Sequence, residues 1–156
     1  MHPSIDNVRR ALEDAGARPE IRVLEESTRT AAEAAAALGV TVGAIASSLV
    51  FDADGEAVLV MTSGAHRVDT GLVAPLFGVA ALRRATAELV REATGQVIGG
   101  VSPVGHPAPL RTLVDVDLQQ HEVVWAAAGH GHAVFSTTYD ELLRLTGGTP
   151  ATVSSE

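Results

Sequence analysis

Apolar residues recur at two spacings along this chain, and the switches between the spacings mark out its elements. Ile5, Val8, Leu12 and Ala15 keep a helical period, with Ser4 placed as a cap and Gly16 as a stop. Ile21-Arg-Val-Leu24 reads as a short strand. Thr30-x-x-Glu33 is a capping box that opens an alanine-rich helix, and Gly39 closes it. Thr41 caps one further helical turn. Ser48 to Phe51 and Ala57 to Met61 are apolar strands joined by Asp52-Ala-Asp-Gly55, a hairpin signature. Asp69 to Phe77 reads as a helix weakened by Gly71 and Pro75, and Thr86 to Ala93 as a clearer helix ending at Gly95.

Leu110 to Val114, Val123 to Ala127 and Ala133 to Phe135 are three more strands. Thr138-x-x-Glu141 starts a last helix that Gly147 ends. The termini are expected to fray from Val153 onward. Strands joined largely by hairpins favour a mixed α+β domain over a doubly wound one. The 156 residues fit one domain spanning 1–156, with no internal repeat and no linker.

Composition narrows the chemistry. Cysteine is absent, which removes disulfides, thiolate nucleophiles and thiolate metal sites. The net charge is −8 and every basic residue is arginine, so no lysine amine is present to form a Schiff base or hold a phosphate. Such an acidic chain is a poor non-specific nucleic-acid binder, and any nucleic-acid partner must be gripped locally. No segment is apolar for long enough to span a membrane, and no secretory signal is recognisable, so a cytoplasmic location is expected.

The densest chemical signal lies in 93–109. Gly95, Gly99, Gly100 and Gly105 alternate there with Pro103, Pro107 and Pro109. Glycine lets backbone groups approach a ligand and proline holds the bends rigid, so the segment reads as a binding loop that works through its backbone. A pair of tight surface turns is the other reading of the same residues.

Several blocks then occur in one order: Ser48-Leu-Val-Phe51, Ser63-Gly-Ala-His-Arg-Val-Asp69, Arg91-Glu-Ala-Thr-Gly95, Ile98-Gly-Gly-Val-Ser-Pro-Val-Gly-His106, Val124-Trp-Ala-Ala-Ala-Gly129 and Glu141-Leu-Leu-Arg-Leu-Thr-Gly-Gly148. Together, from Asp6 to Val153, they resemble the YbaK/EbsC family of aminoacyl-tRNA deacylases, relatives of the editing domain of bacterial prolyl-tRNA synthetase. The resemblance implies a curved, mostly antiparallel sheet partly closed around a pocket, with flanking helices. It implies hydrolysis, in trans, of the ester of mischarged aminoacyl-tRNA, of the prolyl-acceptor type, without metal or organic cofactor. The partners it implies are the aminoacyl-tRNA 3′ end and, beside it, an aminoacyl-tRNA synthetase.

The loop Gly99, Gly100, Val101, Ser102 and Pro103 is then the catalytic segment, acting through oriented backbone groups with help from the tRNA's own terminal hydroxyl. Ser47, Ser48, Ser63, Gly129, His130 and His132 are the expected substrate-binding residues. At Ser47 the family carries a lysine that helps hold the tRNA end; serine offers one hydrogen bond and no charge. A second reading follows from that departure. It is a non-catalytic module of the same fold that binds an amino-acid-like ligand or a protein.

The remaining polar residues have plainer roles. His130 and His132 share an extended segment, but two ligands do not close a metal set, so they stand as pocket wall or loop histidines. His106 is expected to staple the glycine-proline loop, Asp69 to cap a helix, Arg67 to pair with a carboxylate and Arg91 to lie on a helix surface. Trp125 reads as core, and Asp115 and Asp117 as a turn after a strand. A triad of Ser102, His130 and Asp115 has no support in the spacing.

Overall fold

The structure is a computed structural model that describes residues 2–155. Helix α1 (Pro3–Asp14) starts two residues earlier than the Ser4 cap predicts. Pro3 takes the first helical position, where its missing N–H costs nothing, and His2 becomes the cap, its Nδ1 accepting from the Ser4 amide at 3.1 Å. Ile5, Val8 and Leu12 are fully buried along one face of α1. Each such side chain contributes about 1.5–3 kcal/mol on burial, against about 1 kcal/mol for a cap, so packing holds this helix more than its cap does.

The chain continues through β1 (Ile21–Val23) to α2 (Ala31–Leu38). The capping box is present in full, with Thr30 and Glu33 each bonding the other's backbone amide, and Gly39 ends the helix at φ 71°. A single 3₁₀ turn (Val42–Ala44) leads into β2 (Ile45–Ala53), which returns as β3 (Glu56–Ser63). Asp54 and Gly55 both take positive φ, as a two-residue turn matched to strand twist requires, and Asp52 accepts from the Gly55 amide at 2.6 Å.

The weak helix 69–77 divides at Pro75's turn into α3 (Thr70–Val73), capped by Asp69 as predicted, and a 3₁₀ segment (Ala74–Phe77). Then follow β4 (Arg83–Arg84), α4 (Ala87–Thr94), β5 (Thr112–Asp115), β6 (Val124–Ala127), β7 (Ala133–Thr137), α5 (Tyr139–Thr146) and β8 (Thr149–Ala151). The short strands β4 and β8 have no apolar alternation to announce them. The turn foreseen at Asp115 and Asp117 is a 3₁₀ helix (Val116–Gln120), with the Asp115 side chain capping it.

The strands form one sheet in the order β1-β7-β6-β2-β3-β5-β8, with β4 attached to β2. This is the α+β architecture expected, but the sheet is more mixed than its hairpins suggest. β2 with β3 and with β4, β6 with β7, and β1 with β7 are antiparallel, whereas β2·β6, β3·β5 and β5·β8 are parallel. The parallel pairs arise where long connections carry the chain across the sheet. Both faces are covered. Leu59 and Met61 of β3 pack with α1 and α5 in one core, and Val58 and Val60 pack with Val73 and Phe77 in another. That double burial explains the unbroken apolar run in β3.

The expected fraying does not reach Val153 or Ser154, and Glu156 lies outside the described residues. Val153 and Ser154 are buried, and the Val153 carbonyl accepts from the Asp69 amide at 2.8 Å. The tail therefore ties down the start of α3.

Candidate functional site

The sheet is interrupted along one edge of β2. Its other edge pairs with β3 from Ala46 to Ala53. On the interrupted edge β6 meets β2 only at Ile45 and Ala46, and β4 meets it only at Phe51 and Asp52. Between them, residues 47–50 have no strand beside them among the described residues. Alternate N–H and C=O groups there face a gap, as at any free strand edge. A cavity of about 660 Å³ opens at that gap, a size suited to a small-molecule site.

Ser47, Ser48, Leu49 and Val50 line the strand side of the cavity. Ile98, Gly99 and Val101 bring in the glycine-proline loop. Thr28, Arg29 and Thr30 come from the segment before α2, and Arg84 and Ala85 from β4 and its end. Trp125, Ala126 and Ala127 of β6 complete the wall, and Trp125 is also buried in the core with Ile45 and Val134.

The expected site residues separate into two layers. Ser47, Ser48, Gly99 and Val101 lie on the cavity wall. Gly99 takes φ 92°, a conformation that favours glycine, and Val101 anchors the loop by packing on Ala85 and Val90. The Ser48 hydroxyl donates to the Met61 sulfur at 3.2 Å.

Gly100, Ser102 and Pro103 are buried behind the wall. A Cβ on Gly100 would stand 2.8 Å from the His130 carbonyl carbon, so this glycine serves the contact between two loops. Ser102 is fully buried. Its hydroxyl accepts from the Val104 amide at 3.2 Å, its amide donates to Gln96 Oε1 at 2.6 Å, and its carbonyl accepts from His106 Nε2 at 2.7 Å. Gln96 closes the knot by donating to the Val104 carbonyl at 3.2 Å. His106 is thus the staple the sequence suggested. Its burial holds its pKa below the ordinary 6.5, against the opposing pull of the bond to Ser102.

Ser63, Gly129, His130 and His132 lie off the cavity wall. The Ser63 hydroxyl donates to the Gly43 carbonyl at 3.1 Å, and its amide donates to Asp115 at 3.0 Å. Gly129, at φ 89°, packs where a Cβ would stand 2.7 Å from the Ser4 carbonyl oxygen. The His130 ring lies 4.8 Å from His2 and 5.7 Å from His132, and its Nδ1 accepts from the His132 amide. Burial first, then the nearby His2, His132 and Arg29, lower the His130 pKa. His132 bonds the Glu26 carbonyl at 2.9 Å. No Ser102–His130–Asp115 triad assembles, because each member is committed elsewhere.

A different group of ligand-type atoms does converge. His66 Nδ1 lies 3.1 Å from Asp115 and its Nε2 lies 3.0 Å from Asp117, with the three residues' ligand atoms within 4.8 Å of one another. This cluster is off the cavity wall. Both ring nitrogens already face a carboxylate, so the imidazole bridges two acids.

Sequence reasoning passed over Arg29 and Arg84. One signal for Arg29 was available. It immediately precedes the Thr30 cap of α2, where the helix dipole disfavours a cation.

The fold is a one-sheet α+β domain with a pocket at a split strand edge and a glycine-proline loop across it. The chain belongs to the aminoacyl-tRNA editing domain family, whose sequence profile matches residues 25–145. It is 32% identical over 124 residues to the uncharacterized protein YwhH of Bacillus subtilis, covering 79% of this chain and 78% of that one. It is 37% identical over 106 residues to the proline--tRNA ligase of Bacillus licheniformis, covering 65% of this chain but only 18% of the ligase. Its structure superposes with a TM-score of 0.93 and 46% identity on a protein proposed to be a trans-editing enzyme for prolyl tRNA synthetase, over 100% of this chain and 99% of that one. Among the described residues, no helix is long and apolar enough to cross a membrane.

Proposed function

We propose that this chain hydrolyses, in trans, the ester that joins a wrong amino acid to tRNA, with prolyl-acceptor tRNA as its substrate type. The observation that carries the reading is the free β2 edge at residues 47–50 facing the Gly99–Val101 loop across the cavity. Backbone donors fixed in this way can hold the ester carbonyl and stabilise its oxyanion with little reorganisation. The family membership and the trans-editing relative support the same reading.

No carboxylate, histidine or cysteine lies on the cavity wall. The proton bookkeeping therefore falls to the substrate. Water adds to the ester carbon while the neighbouring ribose hydroxyl of the tRNA end orients it and relays a proton, accepting one from the water as it passes its own to the ester's leaving oxygen. The acyl–oxygen bond then breaks, and the tRNA hydroxyl leaves already protonated. The free amino acid and the uncharged tRNA leave together. The glycine-proline loop, from Gly99 to Pro103, works through its backbone, with Ser102 and Pro103 holding its shape.

The serine at position 47 supplies no charge to this wall, which keeps the binding-module reading as the competitor. A deacylation assay on prolyl-acceptor tRNA carrying alanine or cysteine decides between them. Ester loss above the spontaneous rate supports the hydrolase. Binding of the charged tRNA end without turnover supports the module.

A further inference from the structure

The cavity wall carries two arginines, Arg29 and Arg84, and no acidic side chain. The chain as a whole has nineteen acidic and eleven basic residues. The wall therefore reverses the sign of the molecule around it. Neither arginine forms an ion pair with a described residue, unlike Arg22, Arg111 and Arg144, which pair elsewhere on the molecule.

Arg29 also sits in a slot. A Cβ on Gly99 would stand 3.1 Å from its Cβ and Cγ, and a Cβ on Gly131 would stand 2.6 Å from its Nε. Two loops distant in sequence thus give up side chains where this one side chain passes. Thr28 fixes the approach, its amide donating to the Gly131 carbonyl at 2.8 Å and its hydroxyl at 3.2 Å. The position works against local stability, since Arg29 stands at the positive end of α2. A cation held in a slot, without a carboxylate, on the wall of a cavity in an acidic protein is arranged for an anionic ligand. A guanidinium suits a phosphodiester, because it presents paired donors to paired oxygens.

We propose that Arg29, aligned by Gly99 and Gly131, grips the backbone phosphate next to the terminal nucleoside of the aminoacylated RNA end. The inference rests on the aminoacyl-tRNA reading of the cavity and names the group that anchors the RNA there. It makes Arg29 a binding residue and Gly131 a positioning residue.

Two stable probes test it by direct binding, without hydrolysis. One is a CCA trinucleotide with alanine in amide linkage at its 3′ carbon. The other is the same alanylamino-adenosine with no phosphate. Arg29→Ala is expected to weaken the trinucleotide about tenfold and to leave the nucleoside unchanged. The slope of log Kd against log salt should fall by about 0.7, the share of one single-strand phosphate. Gly131→Ala should weaken the trinucleotide in the same direction, because its Cβ displaces the flexible end of Arg29. Arg10→Ala, on the exposed side of α1, should change neither probe.

Equal loss on both probes, an unchanged salt slope, or a natural protein that binds neither probe overturns the proposal. Deacylation by the natural protein is read separately. Turnover with Arg29-independent binding sinks this inference alone, and Arg29-dependent binding without turnover sinks the hydrolase alone.

Discussion

Replacing Ser102 by alanine separates two accounts of the glycine-proline loop. In the first, Ser102 is a nucleophile. In the second, it is a buried knot that holds the loop's backbone in place. The structure supports the second, because the hydroxyl is fully buried and accepts from the Val104 amide at 3.2 Å. Removing it leaves that amide without a partner in a closed interior. Such an orphaned donor costs about 1–3 kcal/mol. For a domain of this length each kcal/mol lowers Tm by about 2–4 °C, so a fall of roughly 4–8 °C is expected for the middle of that range. Thermal unfolding followed by the fluorescence of Trp125, the single tryptophan, measures it. Deacylation well below the transition should keep kcat within about threefold of the natural value, since no bond to substrate has been lost. A Ser102→Ala protein with unchanged Tm and kcat reduced about a hundredfold or more would refute the reasoning and restore the nucleophile.

The other predictions concern neighbouring parts. Gly100→Ala should destabilise the fold by about 1–3 kcal/mol, because the new methyl meets His130 backbone that cannot swing aside, and it should lower turnover as the loops part. Gly95→Ala, with open space around it and only its positive φ to offend, should cost about 1 kcal/mol, and the reverse order in urea midpoints would refute the packing argument. The folded chain holds His106 below its ordinary pKa of 6.5, so the unfolded chain takes up a proton first as pH falls. Its effect is absent well above pH 6.5, and stability drops as pH falls below it. His106→Gln, which keeps a donor for the Ser102 carbonyl, should flatten that acid limb in urea titrations on either side of pH 6.5. Deacylation should be indifferent to a chelator; activity lost to EDTA and restored by zinc would point to His66, Asp115 and Asp117 as a working metal centre.

The sequence by itself determined the helices, the main hairpin and the location of the glycine-proline loop. These are local matters. Thr30 with Glu33, Thr86, Thr138 and Asp69 cap the helices that follow them, and Gly39, Gly95 and Gly147 end theirs, because the bonds involved span only a few residues. The glycine and proline density at 95–109 was legible for the same reason, and the ordered blocks were enough to indicate the family.

The tertiary structure decided which face of that loop meets the cavity. Alternation along a strand says that Ser47 and Ser48 point apart; it does not say that β6 and β4 stop short and leave the edge between them free. No spacing rule places Gly100 against His130, or Ser63 with Asp115, since those contacts join segments that meet only when the sheet forms. The burial of Val153 and Ser154 was hidden likewise, because a polar, short tail is held by α3 and not by any periodicity of its own. Arg29 shows the difference most plainly. Its sequence neighbours make it a misplaced charge at a helix start, and only the approach of Gly99 and Gly131 turns it into a cation aimed at the cavity.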